Sequence, residues 1–89
     1  MTLLGEVESV FSISGRGTVV VPTLVDDFLL HVGDQLQIRS SDGRIMDGHI
    51  TGVEFTQHPG KRCRLALLLS KNITRDDISA GAELWKINS

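Results

Sequence analysis

The chain has one cysteine, Cys63, in 89 residues. A lone thiol closes no disulfide within a chain and supplies no cysteine-rich zinc site, so neither device staples the fold. Aromatic residues are scarce, with three Phe, one Trp and no Tyr, and the core therefore has to be built from Val, Ile and Leu. Prolines number two. Neither sign of charge dominates: 9 Lys and Arg against 11 Asp and Glu leave a net charge of −2. A domain that held nucleic acid by electrostatics alone would be basic, and no DNA partner is expected. No apolar run approaches the roughly 20 residues of a membrane span, and the opening "MTLLGEVESV" lacks the basic start and long apolar stretch of a signal peptide. The expectation is a cytoplasmic chain with no membrane association. His31, His49 and His58 show no metal-ligand spacing, so no metal or cofactor is expected.

What is present is alternation. Val7, Phe11 and Ile13 share one parity, with Glu6, Glu8, Ser12 and Ser14 on the other, the pattern of a half-buried strand. Thr18 to Val21 is a β-branched run that pairs with it across the Gly15–Gly17 turn. Leu36 and Ile38 alternate with Gln35, Gln37 and Arg39, and Asp42-Gly43 marks a hairpin into the next strand, from Arg44 onward. That strand, "RIMDGHITGVEF", changes parity between Ile50 and Val53, and Gly52 at the phase shift predicts a bulge. Cys63, Leu65, Leu67 and Leu69 begin another alternation whose second half is apolar on both faces, as in a central strand or one that covers something. Leu84, Trp85 and Ile87 make the last strand. "TLVDDFLLHVGD" fits either a helix or a strand followed by a turn, and "NITRDDISAG" predicts one helical turn with Thr74 as its N-cap and Gly81 past its end. One all-β domain over residues 1–89 follows, and turns every eight to twelve residues favour a closed barrel over a sandwich.

Candidate sites have to be weighed against plainer readings. "SGRGTVV" lacks the lysine and the following helix of a phosphate-binding loop and runs instead into valines that favour a strand, so it is a turn. Asp26-Asp27 and Asp76-Asp77 suit turn chemistry and a helix start; no nucleophile elbow surrounds any serine, and no catalysis is expected. The one cationic cluster is "GKRCR", in which Lys61, Arg62 and Arg64 are candidate phosphate contacts, with Arg16, Lys71 and Arg75 as further members. The same charges also serve as an edge that discourages strand pairing.

"VFSISGRGTVV", "VGDQLQI", "ITGVEF" and "ITRDDISAGAEL", in this order and spacing, closely resemble the second domain of elongation factor Tu, the β-barrel of translational GTPases. The resemblance covers about residues 7 to 87 and implies a small Greek-key barrel of six or seven strands. In that family the barrel holds the terminal adenosine of aminoacyl-tRNA. The matching positions are Ile13, Gly15 and Val19 from the first hairpin, Glu54 from "GVE" and Leu68 from the leucine-rich strand. Aliphatic side chains suit the face of a base, and a carboxylate accepts from a ribose hydroxyl. The plainer alternative is that Ile13 and Val19 are simply barrel core.

The departures are specific. No residues match the family's nucleotide-binding domain or its third domain, so the resemblance is to a free-standing barrel. An arginine three residues after the glutamate is Gln57, and "VPTLVDDFLLHVGD" lacks the family's glycines. Two expectations follow: a non-catalytic module binding a tRNA or other RNA end, or a protein-interaction module that kept the barrel and lost the RNA. Either way, guanine nucleotide should neither bind nor be hydrolysed. Equilibrium binding of a labelled guanine nucleotide checks this, and micromolar affinity selective over adenine nucleotide would overturn it.

Overall fold

Backbone donors and acceptors at the edge of a small sheet need partners, and closing the sheet on itself supplies them all. The computed structural model, which describes residues 1–26, 28–56 and 64–87, has this architecture. Its strands are β1 (Thr2–Ile13), β2 (Gly17–Leu24), β3 (Gln35–Arg39), β4 (Ile45–Thr56), β5 (Arg64–Leu69) and β6 (Glu83–Lys86). They close in the order β1-β2-β5-β4-β3-β6, and every neighbouring pair is antiparallel. The meander β3-β4-β5 with β2 returning beside β5 is a Greek key. Among the described residues no helix is long and apolar enough to cross a membrane.

The core is aliphatic, as the shortage of aromatics requires. Leu4, Val7, Val20, Leu36, Ile38, Ile50, Leu67, Leu69 and Leu84 are fully buried inside the barrel, and Ile73 from the β5–β6 connection joins them. Phe28 only packs against this cluster from its margin. Trp85, the one tryptophan, stays half-buried on β6, with the Arg39 guanidinium 4.4 Å from its ring centre.

One predicted strand face is corrected. Val7 points inward, but Phe11 is 53% and Ile13 38% exposed. The cause is a bulge between Val7 and Ser9 that leaves Glu8 as the extra residue against β2. Val7 donates its N–H to the Ala82 carbonyl, and its own carbonyl accepts from the Gly81 N–H. Both of its backbone groups thus face the β6 side. The residue opposite it on β2 is Pro22, which has no donor to offer and needs none there. Past the bulge the parity reverses, so Val10 packs on the core while Phe11 and Ile13 face out. The plainer reading of Ile13 as core fails for the same reason. Val19 is only half-buried, beside the fully buried Val20.

Other expectations hold in the structure. The register of β4 against β5 shifts between Ile50 and Gly52, at the predicted bulge. Asp42-Gly43 turns the β3–β4 hairpin, closed by the Gly43 N–H donating to the Ser40 carbonyl at 3.0 Å. Residues 75–77 form a single 3-10 turn after Thr74. Among its described residues the ambiguous segment after β2 is not helical: it bends after Leu24 and buries only Leu30, leaving Val25, Leu29 and Val32 exposed. Ile87 lies just beyond the end of β6, and Cys63, at the predicted start of the leucine-rich strand, lies outside the described residues.

Among the described glycines, Gly5 leaves the least room for a side chain. It pairs with Leu24 of β2 and Leu84 of β6 at a φ of +153°, and a Cβ there would collide with the carbonyl of Thr23. Backbone cannot rotate away as a side chain can. Gly5→Ala should therefore cost about 3 kcal/mol or more, seen as a fall of more than about 10 °C in the melting midpoint. Gly52→Val, whose Cβ would meet the Leu68 Cβ at 3.3 Å, should cost about 1–3 kcal/mol. A Gly5→Ala chain that melts with the parent would show the β1–β2 pairing to be misassigned.

Candidate functional site

The pairing of β2, β5 and β4 fixes which side chains share their outer face. Val19 stands opposite Leu68 on β5, and across the other edge of β5 Glu54 stands opposite Ala66. Ala66 and Leu68 share one parity, and Leu67 and Leu69, on the other, fill the core. The strand that reads as apolar on both faces therefore has a reason to be so: its inner leucines build the barrel, and its outer residues form a floor.

The β1–β2 hairpin folds over one end of that floor. Gly15 takes a φ of +79° in the turn, and the Arg16 N–H donates to the Ile13 carbonyl at 3.0 Å. This turn carries Ile13 and Arg16 to the outer face. Ile13, Arg16, Val19, Glu54, Ala66 and Leu68 together line a shallow hollow of about 10 Å³, room for roughly one water. Across it, Arg16 Nη2 donates to Glu54 Oε1 at 3.1 Å, and both side chains are more than half exposed.

Four of the five predicted ligand contacts, Ile13, Val19, Glu54 and Leu68, thus meet at one place. Gly15 does not line this hollow; it lies on the other flank of the hairpin. Sequence reasoning does not place Arg16 or Ala66 in the site. An arginine held between two turn glycines is bound to be exposed, which is a usable signal for Arg16. Ala66 has none. Gln57, His58, Lys61, Arg62 and the side chain of Arg64 lie outside the described residues.

A second outer feature is apolar. Leu24, Phe28, Leu29, Leu30, Val53, Phe55 and Leu65 line a hollow of about 350 Å³, with Phe55 70% and Leu29 77% exposed at its rim. Among the described residues no group of three or more His, Cys, Asp or Glu side chains is placed to hold a metal ion. No protein-family model matches the chain.

The loop beside the hairpin carries the clearest electrostatic feature. The Asp77 carboxylate accepts from the Thr74 hydroxyl at 2.8 Å and from the Thr74 N–H at 3.0 Å. These bonds, the hydroxyl's first, hold the Asp77 pKa below its ordinary value. A carboxylate whose folded pKa is depressed lends stability that is present above its unfolded pKa and is lost as the pH falls through the folded one. Acidification below about pH 4 should therefore loosen the 74–77 turn before the barrel. The Thr74 amide resonance followed by NMR should move over this range in the parent and stay still in Asp77→Asn. A Thr74 amide indifferent to pH in the parent would count against the cap.

Proposed function

We propose that the chain is a non-catalytic binding module whose β2–β5–β4 outer face receives the terminal nucleoside of an RNA. An aminoacyl-tRNA acceptor end is the ligand that the resemblance to the elongation factor Tu barrel implies. The observation that supports this reading is the outward placement of Ile13 and Val19. They join Leu68 in a partly exposed aliphatic floor with the Glu54 carboxylate at its edge. The floor suits the flat face of a base, and the carboxylate suits a ribose hydroxyl, the group that distinguishes RNA from DNA.

Two magnitudes shape the mode of binding. At about 10 Å³ the hollow is far smaller than the roughly 300 Å³ or more of an enclosing ligand site, so a base lies on it and not within it. Glu54 must also exchange Arg16 for the ribose. An exposed ion pair contributes only about 0.2–1 kcal/mol, which a hydrogen bond to the carboxylate offsets. The affinity should accordingly be weak, about 10⁻⁴ M or weaker.

An NMR titration with a short RNA ending in CCA tests this. Shifts should gather at Ile13, Val19, Glu54 and Leu68, and Glu54→Ala should weaken binding by about 1–2 kcal/mol without altering the fold. A second reading, a protein-interaction module, is favoured by the exposed Phe55 and Leu29 around the apolar hollow. If millimolar RNA leaves the outer face of β2 and β5 unshifted, the RNA reading falls and the second takes its place.

A further inference from the structure

On the far flank of the β1–β2 hairpin lies a groove of about 360 Å³, within the size range of small-ligand sites. One wall is the hairpin itself, with Ser12, Ser14 and Gly15; the other is the loop after β5, with Lys71, Thr74 and Arg75. The two walls are fastened together from inside, because the buried Thr18 hydroxyl donates to the Ile73 carbonyl at 2.9 Å. Asp77, bonded to Thr74, fixes the shape of the outer loop. The groove is therefore built before any ligand arrives.

Its charge is unlike that of the whole chain. Lys71 and Arg75 are exposed, and among the described residues neither side chain has an ion pair or hydrogen bond. No carboxylate lines the groove. Asp76 and Glu8 border a separate hollow on the other side of Arg75, and Asp77 is engaged by Thr74. In a chain of net charge −2, two cations without an ion pair, sharing one groove with serine hydroxyls, make a local anion site. Nothing crowds the crest between this groove and the nucleoside floor, since a Cβ at Gly15 would meet no atom within 4 Å. Ile13 lines both sides of that crest.

We propose that this groove is the phosphodiester subsite of the same RNA strand. The terminal nucleoside lies on the Ile13–Val19–Leu68 floor, the strand passes over Gly15, and Lys71 and Arg75 neutralise the phosphates that follow. Ser12 and Ser14 donate hydroxyl hydrogens to the phosphate oxygens. This rests on the RNA-end reading, and it assigns the polarity of the ligand across the surface: base on the β5 flank of the hairpin, backbone on the loop flank.

The test is the salt dependence of binding of a fluorescently labelled RNA ending in CCA to the full chain, with NMR shifts to locate it and free adenosine as a second ligand. Lys71→Ala and Arg75→Ala should each weaken RNA binding about 3- to 10-fold and lower the log–log salt slope by about 0.7, the value of one phosphate contact on a single strand. Lys86→Ala removes the same charge from the side chain that faces Asp34 at 3.7 Å and should change neither. Adenosine should shift the floor and leave the groove unmoved. If Lys71→Ala and Arg75→Ala behave as Lys86→Ala does while adenosine still shifts Ile13, Val19 and Glu54, the groove proposal is overturned and the nucleoside reading stands. If adenosine shifts nothing but both variants lose affinity and slope, the groove binds phosphate and the nucleoside reading falls. An RNA that does not bind at all removes both.

Discussion

β1 has to serve two neighbours. Its first residues pair with β6 and its full length from Gly5 onward pairs with β2, and this double engagement closes the barrel. An ordinary strand could satisfy both ladders only in a single register. The extra residue at Glu8 lets Val7 bond toward the Gly81–Ala82 corner while the chain resumes its pairing with β2 one step out of phase. What β1 contributes to the outer face depends on that step. Without it Ile13 would point into the core, and the hairpin would present Ser12 and Ser14 to the floor on which Leu68 and Val19 lie.

The same interruption shows why some of the fold is legible in the chain and some is not. Gly52 announces its bulge, because a residue without a side chain, standing where the parity changes, is what a bulge requires. The bulge after Val7 has no such mark: Glu8 and Ser9 are ordinary polar residues, and the clue sits on the partner strand, in Pro22. Parity counted across it therefore puts Phe11 and Ile13 on the wrong face, although the strand itself is plain. Glu54 stands out as a charge between Val53 and Phe55 and does reach the hollow. The partner it finds there, Arg16, is 38 residues away in sequence, and only the closed β2–β5–β4 arrangement brings the two together. The stretch from Thr23 to Asp34 carries Leu24, Val25, Phe28, Leu29 and Val32 at helical spacing, yet among its described residues Leu30 alone is buried; periodicity in so short a stretch does not separate a helix from an irregular cover over the barrel's end.

The outer surface divides into regions of different character. The hairpin flank combines a shallow aliphatic floor, one carboxylate and, beyond the turn, two cations. The region around Phe55 and Leu29 is a hollow of about 350 Å³ whose lining carries no charged side chain. On the two readings proposed above they would take different partners, a strand of nucleotides on one side and an apolar protein surface on the other, and nothing in the pairing of the strands makes them exclusive. Val53 and Phe55 face one while Glu54, between them, faces the other, so β4 borders both regions.

The half-buried Trp85 has a use of its own. It sits on β6, paired with Leu3 on one side and Gln37 on the other, at the seam where the first and last strands meet, with the Arg39 guanidinium over its ring. The chain has no other tryptophan and no tyrosine, so emission excited at wavelengths too long for phenylalanine comes from this single site. The indole is an intrinsic optical probe of whether the seam is zipped, and it lies on a strand that contributes nothing to the hollow or the groove.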